Sequence, residues 1–505
     1  MQFITGSRVQ ELRTVRRRNS RAWRIIVYVT GAGQIRDNGP VCLPRPRFSP
    51  PVAKPMPAFV EVPDQGVLKF GATILAIDLF LTFSRTLEFF PIKAGPLSLA
   101  VAVRLLLVFC AVLSGGVPLL ISSRVGKCLL FLTFWMIAGI PFSVWKGGSI
   151  DNFLHFWLPS VLAYVGAVAV IRSFSAIRKA SAAMAFASVA IVIFSRIYGG
   201  QDATNDRFNV GEGSLGNSND LATMLILCLP FMLLYLKENK GRRLPFRLLI
   251  FATLPLLIQI VTKTGSRAGL VSLIAYALIA IIYSSGVRRV GIICAILAGL
   301  SVFLATAPAS SLARYRTILP FLPEASGVGA DKEEESAQAS SEARNSLMRR
   351  AIEVTMDHPI FGSGLSTFEI AAAEISKSHN EHQSWHATHN AFLQVAADLG
   401  VPAFLAYVAA VGFVWSSLLW VRRNSRGDPD LASIHQMAGA FMAVMTGFFI
   451  TAFFTSLAYV PIFPFLAGVF DAFQHLAKKR ILLKASATPP PVFSARVPLM
   501  AHPVR

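Results

Sequence analysis

The sequence predicts an all-α polytopic membrane protein of about twelve transmembrane helices, with one large helical loop on the outer face. Three observations predict it. Apolar residues make up 54% of the chain and charged residues only 15%, with a mean hydropathy of +0.55, far beyond what the core of a soluble protein of this length requires. These residues gather into runs of the ~20-residue length that crosses a hydrocarbon core. Basic residues, finally, alternate sharply between successive short loops.

In chain order, residues 1–67 come first, carrying Arg16-Arg17-Arg18 and the stretch "LPRPRFSPPVAKPMP". Such a composition cannot bury enough apolar surface to fold, so the segment is expected to be a disordered cytoplasmic tail whose cations touch anionic headgroups. Its one apolar run, Ile25 to Val29, is too short for a cleavable signal. The first span is therefore expected to act as an uncleaved signal, and nothing before Met56 reads as structured. Spans are expected near 69–90, 98–121, 128–145, 153–171, 180–197, 219–236, 248–264, 268–285, 290–308, 391–420, 432–455 and 458–476. A second cytoplasmic tail, 481–505, ends the chain.

One set of alternate loops holds 19 Lys and Arg residues, among them Arg172, Arg178, Lys237, Arg422 and Lys478. The opposing short loops hold six, Lys93, Lys146, Arg196, Arg207, Lys263 and Arg267. Basic residues stay on the cytoplasmic side, so both termini are expected inside and residues 309–390 outside. The net charge of +21 and pI near 10.2 are thus a topology signal, not a sign of nucleic-acid binding. The five cysteines are scattered singly, which supports neither a disulfide framework nor a zinc ribbon.

The segment 309–390 is the one long loop, and loops of that length are functional or disordered. "DKEEESAQASSEA" reads as solvated. "SEARNSLMRRAIEVTMDHP" places Leu347, Ala351 and Val354 on one helical face and stops before Pro359. The turn "PIFGSG" and a second short helix, "STFEIAAAEISKS", complete a small helical lid.

Four histidines, His379, His382, His386 and His389, end this loop at spacings of three, four and three. Beyond Glu381 no acidic or thiolate ligand interleaves with them, and Asn380, Ser384 and Thr388 argue against a continuous helix, so no metal or other cofactor is assigned. His389 stands where the loop re-enters the membrane at "HNAFLQVAADLG", and a neutral imidazole can accept a proton near physiological pH. The alternative is an interfacial histidine that caps the next helix together with Asn390. Arg207 and Arg267 lie on the outer side against the positive-inside trend; guanidinium groups fork onto phosphate oxygens, and an anionic partner would offset their cost. Snorkelling to headgroups is the competing reading. In the lid, Arg344 is a candidate substrate contact, whereas Arg349 and Arg350 read as surface. Asp78, Arg85 and Arg104, inside the first two spans, read as structural, with Asp78 and Arg85 two turns apart on one face.

Four stretches in order, "GSLGNSNDLATMLILCLP", "TGSRAGLVSLIAY", "ARNSLMRRAIEVTMDHPIFGSGLSTF" and "HNAFLQVAADLG", resemble the O-antigen ligase and polysaccharide polymerase superfamily of bacterial membrane glycosyltransferases. The resemblance covers roughly residues 69–480. It implies an inner-membrane enzyme with an outward cavity that accepts a glycan on undecaprenyl diphosphate, without metal or nucleotide sugar. Its outer-loop arginines would bind the diphosphate, and its loop histidine would activate the acceptor hydroxyl of a lipid A core or a growing polysaccharide. Arg207, Arg267 and His389 match those positions, with Asn390 beside the last and Arg344 and His386 as further contacts. Two departures stand out: Asp398 where members often carry Glu, and "GVP" with Pro402 where they carry a second Gly. Ligase and repeat-unit polymerase share these motifs. A transporter or flippase is the rival from another class, although the late 309–390 loop breaks the two-fold pattern of carriers.

Overall fold

The computed structural model describes residues 66–487, apart from 95–96, 203–206, 212, 240–243, 283, 285, 307–308, 317, 320–329 and 381–384. Both predicted tails beyond these limits, and His382, lie outside the described residues. The fold is helical, with two minimal antiparallel hairpins, Lys93–Ala94 with Leu97–Ser98 and Gly200–Gln201 with Phe208–Asn209.

The main helices are α1 (Val67–Ser84), α2 (Leu99–Leu113), α3 (Arg124–Gly139), α4 (Leu158–Val170), α5 (Phe174–Ile197), α6 (Ser218–Glu238), α7 (Leu244–Lys263), α8 (Arg267–Ile282) and α9 (Gly286–Thr306). Then come α10 (Ala309–Arg316), α11 (Ala330–Asp357), α12 (Phe368–Ser378), α13 (Ala391–Asn424), α14 (Ala432–Ala452) and α15 (Ile462–Ala487). Polar caps set several starts: Ser123 accepts from the amides of Val125 and Gly126, Ser173 from Ala176, and Asn217 from Asn219. Among the described residues, eight helical stretches are long and apolar enough to cross a membrane, so the protein is a multi-pass membrane protein. The four other predicted runs fall on α2, α8 and α9, which are shorter in their apolar part, and on α15, which carries Asp471 and the Lys478-Lys479-Arg480 run. Phe109, Phe134, Phe251 and Ile282 remain exposed on the bundle, as side chains facing acyl chains do.

The carboxylates Asp78 and Asp471 inside the bundle find partners, as an apolar solvent demands. Arg104 donates to both carboxylate oxygens of Asp78, at 3.2 and 3.0 Å, and to Thr82 at 3.1 Å. This corrects the expected sharing of a face by Asp78 and Arg85: α1 ends at Ser84, Arg85 turns left-handed at φ 56°, and its guanidinium pairs with Glu88 at 3.2 Å. Tyr164 donates to Asp471 at 2.7 Å across the buried α4–α15 contact.

The tenth predicted run, 391–420, is two helices in series. Gly400, at φ 80° and ψ 177°, breaks α13, leaving a first half, 391–399, under the lid and a second half, from Val401, that spans. Pro402 then falls in the first turn of that second half, where no amide is missed, so the departure noted in the sequence fits the kink. The break and Pro402 release the carbonyls of residues 397–399, and outside groups take them. Ser363 N donates to Ala397 O at 2.9 Å, Gly364 N to Asp398 O at 2.8 Å, and Trp135 Nε1 to Leu399 O at 3.1 Å. In return Val401 N donates to Pro359 O at 2.8 Å. The turn Pro359–Gly364 is thereby wedged between α13 and α3, with Phe361 stacked on Trp135 and Phe142 at ring distances of 4.9 and 4.6 Å.

The lid follows the expected periodicity. Leu347, Ala351 and Val354 of α11 pack with Phe368, Ala371 and Ala372 of α12 and with Ala397 of α13 in a separate small core. Helix α11 starts earlier than expected, at Ala330, and takes in the acidic stretch.

Candidate functional site

Four arginines from four segments converge at the lid end of the bundle. Arg207 sits at the base of the 200–209 hairpin, where its carbonyl accepts from Asp202 N at 2.9 Å. Its Nε donates to Thr264 O at 2.9 Å and its other nitrogen to Asn219 Oδ1 at 2.9 Å. Thr264-Gly265-Ser266 is the tight turn between α7 and α8; Gly265 adopts φ +60°, and a side chain there would meet Arg314 Cδ at 3.2 Å and Arg207 Nε at 3.9 Å. Arg267 opens α8 directly after this turn. Arg314 is buried on α10, a helix pinned by Tyr315, whose hydroxyl donates to Thr262 O at 3.0 Å. Arg344 reaches the same place from α11.

These cations sense one another. Burial, with Arg314 and Arg344 next in effect, pushes Arg207 down to about 10. Burial and then Arg267 and Arg314 likewise push Arg344 to about 10. Both remain protonated at neutral pH, so the site is a partly desolvated pool of positive charge. Like charges held together in low dielectric repel, each close pair by an amount on the order of 1 kcal/mol or more. A multiply charged anion offsets that cost.

His389 borders this pool. Burial lowers its proton affinity, and Arg344 and then His386 lower it further, so the imidazole is neutral at pH 7 and able to accept a proton. Its backbone is held in a left-handed conformation, φ 50°, which costs a non-glycine residue and persists only where the surroundings fix it. Here they do: His389 N donates to Ser456 Oγ at 3.1 Å, and Thr388 Oγ1 donates to Asn390 O at 3.0 Å. Asn390 is the N-cap of α13, its Oδ1 accepting from the amides of Phe392 and Leu393 at 3.0 and 3.1 Å. His386 is exposed nearby. It also counters the burial that raises the carboxyl of Glu369, in the first turn of α12.

Of the residues singled out in the sequence, Arg207, Arg267, Arg344 and His389 are brought together, with His386 at the rim and Asn390 beneath as a cap. His379, His386 and His389 do not form a helical stripe, because α12 ends at Ser378 and residues 385–390 are not helical. His379 instead accepts from Arg350 at 3.1 Å through Nδ1. Arg350 is a correction as well: it is buried, bound also to Glu353 at 2.7 Å, because it lies on the lid's inner face and not on its surface. Sequence reasoning missed Arg314. The signal was available, since "ARYR" is a further outer-side basic pair just past a span, but a long loop makes a cation look solvated by default. It also missed the clamping role of Asp398, whose Oδ1 accepts from the amides of Thr367 and Phe368 at 3.1 and 2.8 Å and so caps α12.

A helical multi-pass membrane protein, with an arginine-rich pool at one end of the bundle and a clamped helical lid over it, is the class that fold and site define. Within that class, residues 252–408 match the family model described as O-antigen ligase. The match covers Arg267, Arg314, Arg344 and His389 together with the whole lid, whereas Arg207 lies ahead of it. It supports a ligase- or polymerase-type role in polysaccharide assembly. No curated protein matches the chain.

Proposed function

We propose that the protein is a metal-independent, inverting glycosyltransferase that moves a glycan from undecaprenyl diphosphate to a saccharide acceptor at the periplasmic face of the bacterial inner membrane. The observation that carries this reading is the convergence of Arg207, Arg267, Arg314 and Arg344 beside a neutral His389. Arginines are suited to a diphosphate because they stay charged and donate paired hydrogen bonds, each worth about 1.5–3 kcal/mol to a charged acceptor. Those donors would act most strongly as charge develops on the departing diphosphate. The excess of basic residues in the opposite loops supports the outward orientation of the site.

In the proposed step the acceptor hydroxyl oxygen bonds to the anomeric carbon while the bond from that carbon to the diphosphate oxygen breaks. Undecaprenyl diphosphate leaves with the electron pair, and His389 takes the hydroxyl proton. One displacement inverts the anomeric centre. Asn390 positions His389 through the cap, Arg344 binds donor, and His386 contacts the acceptor at the rim. The acceptor is lipid A core or a growing polysaccharide. The repeat-unit polymerase reading uses the same donor site and differs only in the product.

The test is reconstitution of the full chain with a defined undecaprenyl-diphosphate glycan and an acceptor. His389→Ala is expected to reduce transfer by at least a hundredfold with donor binding retained. Movement of the lipid-linked glycan across the bilayer with no bond change would replace the reading by a flippase.

A further inference from the structure

At the opposite end of the bundle a second cavity, of about 260 Å³, opens between α6, α8, α9 and α14. Lys237 lies at its mouth and Asn219, which holds Arg207, at the other end of the same helix α6; eighteen residues at 1.5 Å each set the two ends about 27 Å apart. The cavity is therefore separate from the arginine pool and lies where the basic-residue bias puts the cytoplasmic leaflet.

Its shape follows from local chemistry. Pro230 in the middle of α6 supplies no amide, and the Ile226 carbonyl left over accepts from the hydroxyl of Tyr276 at 3.3 Å. Gly447 makes room for that ring, since any side chain there would collide with the hydroxyl. Below this plug the walls are Leu233, Leu234, Ile279, Ile292, Ala440 and Ala443. The mouth carries the cations Lys237 and Arg422 with His435 beside them, and among the described residues of the lining there is no carboxylate. Arg422 lies across Gly439, whose missing side chain admits the guanidinium. His435 is oriented by its Nδ1 contact to Arg422 O at 3.1 Å. Glu238, next to Lys237, is met by Ser433 at 3.4 Å and Arg178 at 3.8 Å.

From the apolar shaft under a cationic mouth at the polar boundary of the membrane, we propose that this cavity binds one anionic phospholipid of the cytoplasmic leaflet, its phosphate held by Arg422 and Lys237 and an acyl chain lying against α6 and α14. Basic pockets between membrane helices on the cytoplasmic side suit such headgroups, and an acyl chain would fill a wall that helix–helix packing leaves open. The assignment is independent of the glycosyl-transfer reading.

The experiment is native mass spectrometry of the purified full chain, incubated separately with phosphatidylglycerol, phosphatidylcholine and inorganic phosphate. Expected are retention of one phosphatidylglycerol by the wild type and at least fivefold less phosphatidylcholine. Retention should fall at least fivefold in the double variant Lys237→Ala/Arg422→Ala and in the filling variant Ala443→Phe, with Ala440→Leu as a second filling variant should Ala443→Phe not elute as a single species. Arg423→Ala, which removes an exposed cation at the same end of α13, should retain the lipid as wild type does. Equal retention of the two lipids, undiminished retention in both the charge and the filling variants, or displacement of phosphatidylglycerol by millimolar inorganic phosphate would each overturn the proposal.

Discussion

Gly400 is the position at which the lid's attachment is most open to test. Its φ of 80° with ψ of 177° belongs to a region that only glycine occupies freely, and a side chain there would strike Ile360 O while standing 2.5 Å from Ile360 C and 2.7 Å from Pro359 O. All three atoms are backbone, so no rotamer relieves the contact. Strain of this kind costs about 1–3 kcal/mol. Parting the wedge from α13 loses the Val401 N to Pro359 O bond, worth ~1 kcal/mol net. Gly400→Ala should therefore loosen the wedge by about 3 kcal/mol, which is roughly a hundredfold in the opening equilibrium. Hydrogen exchange read on peptides spanning 359–364 and 397–401 should accelerate by that factor, and glycan transfer should fall with it, because α11 and α12 hang from this turn. Gly412→Ala in the same helix is the control: its side chain would meet nothing within 4 Å and should change neither. Unaltered exchange at 359–364 in Gly400→Ala would refute the claim that backbone interlocking holds the lid.

Other expectations follow from the same geometry. Burial and the neighbouring cations lower the proton affinity of His389, so kcat/KM should hold down to pH values below the ordinary histidine range and fall only as the imidazole protonates. Arg344→Gln removes one of those cations, so the acid limb should move to higher pH, while KM for the lipid donor rises about tenfold for one lost charge-assisted contact; an acid limb that stays in place would separate Arg344 from His389. Asp398→Ala orphans the amides of Thr367 and Phe368 and should destabilise the lid by about 2 kcal/mol, seen as faster proteolysis within 357–380, with Asp398→Asn milder because one acceptor survives.

What the sequence made legible depended on how local the physics was. The i, i+4, i+7 pattern of Leu347, Ala351 and Val354 is internal to one helix, and the helix and its buried face are where that pattern puts them. "PIFGSG" announced a turn but not its berth. The partners of that turn, Trp135 and Leu399, are 264 residues apart in sequence, and only the released carbonyls of a kinked helix explain why they meet. Spacing put Asp78 and Arg85 on one face and named no partner for Asp78; the partner is Arg104, because α1 ends one residue before Arg85 and a neighbouring helix supplies the fork.

Arg314 and Arg350 show the same limit from the other side. In a long polar loop a cation reads as solvated, and nothing local separates one that the lid covers from one that water covers. The covered ones matter most for energetics. Arg207, Arg314 and Arg344 are drawn together by the hairpin, α10 and α11, elements whose own packing and hydrogen bonds, such as Tyr315 to Thr262, bring like charges close without needing an anion to do it. The fold supplies the work of assembling the charge, so an incoming anion gains attraction without having to organise its own site. The same logic explains the strained His389: Ser456, Thr388 and the Asn390 cap fix its backbone before any ligand arrives. The interlocked lid carries Arg344 and leads into His389, which is why the glycine contacts that hold it should matter to turnover alongside the arginines.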